Sequence, residues 1–316
     1  MTDRVEAFKG CLLGLMAADR VAAGFNGQEH VPLAYRYASV EELLAALEPG
    51  IYTAATEATW AVAASLAEFP DFDGTDMASR LLSAYTPSRT YGHATRSAME
   101  RLREGVVWEE AGMAGGGRAS FGNGAATRSA PVGLVHGADA DRLRWVAEEA
   151  AGITHPHALA SEGAVLHAHA VALALASRGG ELSAEGFLAT LAAESQVREF
   201  RSRFEAAAGL VSKDLASETV VERLGNGTSA LASVVTAAFC FAGHAGSFER
   251  AVGSAVRLGG NTAALASMTG SLSGAYLGLS AVPDAWQRGQ CDDQGQEAVS
   301  GLSDLAVRLA QVSSED

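Results

Sequence analysis

The sequence predicts an all-α fold, a multi-helix bundle, and three observations carry that prediction. Apolar residues recur at helical spacing along most of the 316 residues. Alternating apolar and polar runs, the pattern of half-buried strands, are hard to find. Hydrophobic residues make up 48% of the chain and prolines number only 7, so the sequence has apolar surface for a large core and few breaks in its helices.

In chain order, Val5, Phe8, Leu12 and Leu15 form the first apolar stripe, on a helix facing the core. Further helices are expected over about 40–48, 56–69, 75–85, 93–104, 140–152, 158–178, 184–195, 197–213, 229–243, 246–257 and 295–311. Leu265, Met268, Leu272, Tyr276 and Leu279 make the late stripe. Gly10 and Gly14, like Gly270, Gly274 and Gly278, clear one helix face. Close helix packing is the first explanation of that spacing, and a helix wall beneath a ligand the second. The glycine-dense stretch 112–124 is the one long irregular segment, a length usually functional or mobile. No linker or fixed-period repeat divides the chain, so residues 1–316 are expected to form a single domain.

Charge and cysteine usage narrow the function classes. A formal net charge of −14 repels phosphate backbones and argues against nucleic-acid binding. Cys11, Cys240 and Cys291 are odd in number and far apart, which fits reduced thiols and a cytoplasmic setting rather than disulfides or zinc. Acidic Asp3 and Glu6 and a short apolar run speak against a secretory leader. Residues 258–283 carry no charge, but their serines, threonines and glycines favour a buried helix over a membrane span.

Several segments hold residues suited to a site. In Phe121-Gly122-Asn123-Gly124-Ala125-Ala126-Thr127-Arg128-Ser129-Ala130-Pro131, glycines flank Asn123 and allow close backbone approach, and Arg128 can bind an anion. A plain glycine-rich turn is the simpler reading of this segment taken alone. Gly92 permits a turn before a helix start at which Thr90 or Thr95 can cap, or Thr95 or Arg96 can bind. His155, in Ile153-Thr154-His155-Pro156-His157, titrates near neutral pH unless its surroundings intervene. His167 and His169 are two residues apart, so on a helix they face different ways and cannot chelate one ion.

Taken together and in order, these segments resemble the ADP-ribosylglycohydrolase family from Gly10 to about Trp286. Phe121–Pro131 is similar to its G-N-G-A-x-M-R-x-x-P segment with Thr127 in place of Met, Tyr91–Arg96 to I-G-x-T-T-R, and Ile153–His157 to T-H-x-H or T-H-x-D. Lys9–Asp19 resembles the family opening G-C-L-L-G-L-x-x-G-D. The resemblance implies a cleft for an ADP-ribose-like ligand, with Gly92, Thr95, Gly122, Asn123, Gly124, Arg128 and His155 as the candidate binding residues.

The departures from the family concern metal. Its binuclear site resembles Y-T-D-D-T in the early helix and L-G-G-D-T-D-T in the late one. Here those stretches read Tyr52-Thr53-Ala54-Ala55-Thr56 and Leu258-Gly259-Gly260-Asn261-Thr262-Ala263-Ala264. A hard dication needs anionic oxygens, which Ala54, Ala55, Asn261, Ala263 and Ala264 do not supply, and Thr53 alone is retained. The acidic residue that serves hydrolysis in the family falls at or near Asn26, and Glu29 as a shifted substitute is the disfavoured alternative.

The expectation is a protein without metal or other cofactor that binds an ADP-ribose-like or nucleotide-like small molecule without metal-dependent hydrolysis. One alternative is a metal-independent enzyme of altered chemistry, biosynthetic for example, with His155, His157, Asp19 or Glu57 as acid and base. The other is a structural or partner-binding protein. The sequence leaves the oligomeric state open.

Overall fold

The structure of the protein, a computed structural model, describes residues 2–26, 32–113, 119–288 and 293–313. Helix α1 (Thr2–Ala23) leads into the short α2 (Val40–Leu44), α3 (Ala54–Glu68) and α4 (Gly74–Ala84). Next come α5 (His93–Arg103), α6 (Trp108–Ala111), α7 (Ala130–His136), α8 (Ala140–Gly152) and α9 (Ala158–Ala176). The rest are α10 (Ala184–Glu194), α11 (Arg198–Ala208), α12 (Ser217–Leu224), α13 (Ala230–Gly243), α14 (Phe248–Arg257), α15 (Thr262–Leu277), α16 (Asp284–Arg288) and α17 (Asp293–Val312). No strand occurs among the described residues; one isolated bridge joins Gly122 and Ser229.

Local chemistry sets the helix ends. Side chains of Asp73, Asp139 and Ser229 accept from backbone N–H groups in the first turns of α4, α8 and α13, filling donors that a helix start leaves open. Gly209 closes α11 at Ala208, so the helix expected over 197–213 is shorter. Gly278, at φ +88°, stops α15 at Leu277 and leaves Leu279 in a following 3₁₀ turn rather than on the late stripe. Helices α6, α7, α12 and α16 were not expected. Pro131 conceals α7, although proline fits the first helical turn, where its missing N–H costs nothing.

A contiguous apolar core draws Phe8 and Leu12 from α1, Leu66 from α3, Val165 from α9, Phe241 from α13 and Leu272 from α15. A smaller cluster gathers Val21, Leu43, Phe248, Val252 and Trp286. Helices α1 and α15 pack along the glycines both carry. A Cβ on Gly14 would stand 2.8 Å from the Gly270 carbonyl oxygen, and one on Gly270 2.5 Å from that of Gly14. These glycines serve helix contact, the first of the two explanations above. Helix α9 is long and apolar enough to cross a membrane, yet 67% of its apolar window is buried inside the protein, as in a core helix.

Cys11 and Cys240 are buried free thiols, and burial pushes Cys240 up to about 12 and Cys11 higher still, so neither supplies thiolate near neutrality. Cys291, Glu29 and the central part of the 112–124 stretch lie outside the described residues.

Candidate functional site

A cleft of about 820 Å³ opens where the first turns of α3, α5 and α15 meet the segment 119–128 and the loop before α13. Gly92, Thr95, Gly122, Asn123, Gly124, Arg128 and His155 all line it, as do Thr53, Ala54, Ala55, Asn261, Ala263 and Ala264. Segments more than 200 residues apart in sequence thus share one wall.

The Gly122–Gly124 turn is pinned from outside. Asn123 N donates to Thr228 O at 2.9 Å, and Ala230 N to Phe121 O at 3.0 Å. The facing loop carries a second Gly-Asn-Gly, Gly225-Asn226-Gly227, a repeat visible in the sequence and not used above. Asn226 braces the turn before α15: its Nδ2 donates to Leu258 O at 2.9 Å and its carbonyl accepts from Asn261 N at 2.8 Å. Gly259 and Gly260 make that turn at φ +70° and +71°, a left-handed geometry suited to glycine.

Arg128 is buried beside this turn. Its Nη1 donates to Gly124 O at 3.2 Å and its Nη2 to Ala150 O and Thr154 Oγ1 at 2.9 and 2.8 Å, while Nε has no partner. No ion pair of Arg128 occurs among the described residues, and burial lowers its pKa to about 10. Most of the guanidinium's hydrogen bonding therefore holds the turn together. Asn123 is 7% exposed, and its Nδ2 is buried without a partner among the described residues, so the amide retains an unused donor there.

Thr154 Oγ1 lies 2.6 Å from His155 Nδ1. The same hydroxyl also accepts from Arg128. Burial, reinforced by Arg128, lowers the His155 pKa to about 3. The imidazole is therefore neutral at pH 7. A Cβ at Gly124 would stand 2.9 Å from His155 Cε1, so glycine is needed for the ring to approach.

The other candidates lie off the cleft lining. Asp19 is fully buried and accepts from Thr53 N (2.8 Å), Thr53 Oγ1 (2.7 Å), Thr56 N (3.3 Å) and Thr56 Oγ1 (2.6 Å). It ties α1 to the start of α3, and burial raises its pKa against the pull of those bonds. Glu57 accepts from Tyr91 Oη at 2.7 Å and Thr86 N at 2.8 Å, with Arg89 Nε 3.2 Å away. His157 caps α9, its Nδ1 accepting from Leu159 N at 3.1 Å. His167 lies buried against Ser271.

Gly92 caps α5 without a side-chain bond, so neither Thr90 nor Thr95 performs the capping considered for them. Arg96 donates to Tyr91 O at 2.7 Å. Thr90 lines the cleft at φ +59°, an uncommon backbone state for a β-branched residue. The Glu57, Arg89 and Tyr91 cluster behind it gave no spacing signal, because its members come from different elements. Asn26 does line the cleft, and its Oδ1 accepts from Thr262 Oγ1 at 3.2 Å and Ala263 N at 3.1 Å, capping α15.

An all-helical bundle with a glycine-walled cleft at converging helix starts defines the class of protein, and the comparisons agree with it. The chain belongs to the ADP-ribosylglycohydrolase family, whose model matches residues 1–316. It is 32% identical to the ADP-ribosylhydrolase ARH3 of Mus musculus over 98% of this chain and 93% of the relative, and 31% identical to that of Homo sapiens over 98% and 95%. An uncharacterized protein of Archaeoglobus fulgidus is 31% identical over 97% of this chain and 99% of its own. A solved structure, an ADP-ribosylglycohydrolase-related protein complex, superposes with a TM-score of 0.72 at 27% identity, covering 99% of this chain and 100% of that one.

Proposed function

We propose that the protein binds an ADP-ribose-like or other nucleotide-like ligand in this cleft and does not carry out metal-dependent hydrolysis. The carrying observation is the donor chemistry of the lining. The residues that line it include neither Asp nor Glu, and no group of three or more His, Cys, Asp or Glu that could hold a metal occurs among the described residues. A pair of dications needs carboxylates for charge balance, and threonine, asparagine and alanine give none. Asp19 and Glu57, which bond to residues at and beside the lining, are occupied by those internal bonds.

Ligand binding is supported by what the cleft keeps: the unpartnered Asn123 amide, the buried Arg128 and a neutral His155. Nucleotide relatives are uncharged at base and ribose and anionic between them, which suits such donors. Titration calorimetry in EDTA tests the proposal. ADP-ribose should bind, and Asn123→Ala should weaken it by about tenfold, the worth of one hydrogen bond. Binding that appears only when Mg²⁺ replaces EDTA removes the proposal.

A further inference from the structure

The start of α3 and the start of α15 lie side by side in the cleft, the first anchored on α1 through Asp19 to Thr53 and the second on the turn after α1 through Asn26 to Ala263. Ala54, Ala55, Ala58, Ala263 and Ala264 line the cleft here with methyl groups, beside three polar residues: Asn261, Thr53, whose hydroxyl is bonded to Asp19 and Ala55 N, and Asn26, whose Oδ1 is bonded to Thr262 and Ala263. Two facts decide what such a place accepts.

First, the backbone donors usually free at a helix start are already used. Ala54 N donates to Arg89 O at 2.8 Å, Ala55 N to Thr53 Oγ1 at 3.2 Å and Thr56 N to Asp19 Oδ2 at 3.3 Å. Ala263 N donates to Asn26 Oδ1 at 3.1 Å and Thr262 N to Gly260 O at 2.9 Å. An anion placed here meets few of the N–H groups that make a helix N-terminus attractive to it.

Second, a cation meets the positive ends of two helices and no lining carboxylate. A cation would therefore be desolvated without compensation and an anion with only the helix ends to offset the cost, whereas an apolar group exchanges water for methyl contacts.

We infer that the ligand places an uncharged, apolar group between the first turns of α3 and α15, and that the alanines make the protein selective against ligands carrying a cation there. This rests on the reading of the cleft as a nucleotide-type site, whose polar part is the wall around the unpartnered Asn123 amide.

The test compares two isosteric glycosides of ADP-ribose that differ only in a terminal CH3 or NH3+, the butyl and the 3-aminopropyl derivative of the terminal ribose, by calorimetry with ADP-ribose as reference. The butyl compound should bind about tenfold or more tightly than the aminopropyl one, and Ala263→Asp should reverse that order by giving the ammonium a partner. ADP-ribose binding with no preference between the two derivatives, or with preference for the ammonium in the unmodified protein, overturns the inference alone. Failure of ADP-ribose itself to bind overturns the reading beneath it as well.

Discussion

Two histidines in the core keep neutral rings at the expense of acid stability. His155 and His167 both have pKa values lowered to about 3, chiefly by burial. In the unfolded chain each would titrate near 6.5. Below that pH the unfolded state binds protons that the folded state refuses, so the stability the neutral rings confer is complete above 6.5 and is lost as the pH falls toward 3. Each histidine contributes a slope of up to about 1.4 kcal/mol per pH unit inside the window. Urea denaturation from pH 7 to pH 5 should show stability falling, and His167→Gln should make the fall shallower by about one proton. An unchanged slope in that variant would mean the ring is protonated in the fold. His155 carries the same shift into the cleft, where burial and the neighbouring Arg128 keep its ring neutral at pH 7.

At the scale of elements, the contact of α1 with α15 rests on missing side chains. Gly14→Ala would put a Cβ 2.8 Å from the Gly270 carbonyl and 2.9 Å from a Phe248 ring carbon. Backbone cannot yield as a flexible side chain can, so the helices must separate, with an expected loss of about 1–3 kcal/mol. Gly152→Ala is the control: nothing lies within 4 Å of its added Cβ, and it sits at the end of α8. There the effect should be neutral or stabilising by up to about 1 kcal/mol through reduced freedom of the unfolded chain. Equal melting temperatures for Gly14→Ala and the parent would show that the packing is looser than described. Helix α1 carries Asp19 to the start of α3 and the turn after it carries Asn26 to the start of α15, so a slackened contact should weaken ligand binding as well.

At the scale of the whole molecule, the cleft is a meeting of loops far apart in the chain. If these loops hold the positions their motifs imply, Ala54→Asp, Ala55→Asp, Asn261→Asp, Ala263→Asp and Ala264→Thr together should create affinity for Mg²⁺ or Mn²⁺. The crowded carboxylates should destabilise the metal-free variant, and a saturating metal at about a hundred times its Kd should return about 2.7 kcal/mol. The parent protein should show no saturable rise in melting temperature with either ion. A folded variant that binds no metal by calorimetry would show that the two turns do not face each other as described.

The all-helical class was legible from period alone, since apolar residues three and four apart can bury one face only on a helix. The cleft was legible through unusual tripeptides: Gly122-Asn123-Gly124 and Tyr91-Gly92 do line it, as does His155. Short helices such as α7 and α12 were not legible, because a few residues give too little period and their capping proline or glycine reads as a loop. Nor did sequence distinguish a carboxylate that faces the cleft from one that braces it. Asp19 and Glu57 sit close in sequence to the lining residues, and only the fold turns both inward, to Thr53 and Thr56 in one case and to Tyr91 and Thr86 in the other. The sequence by itself determined which groups the chain owns, including Ala54, Ala55, Ala263 and Ala264 at the two helix starts. Which of those groups a ligand can reach was decided by tertiary structure, because a buried charge is stable only where its partners stand, and partners from distant segments meet only in the folded chain.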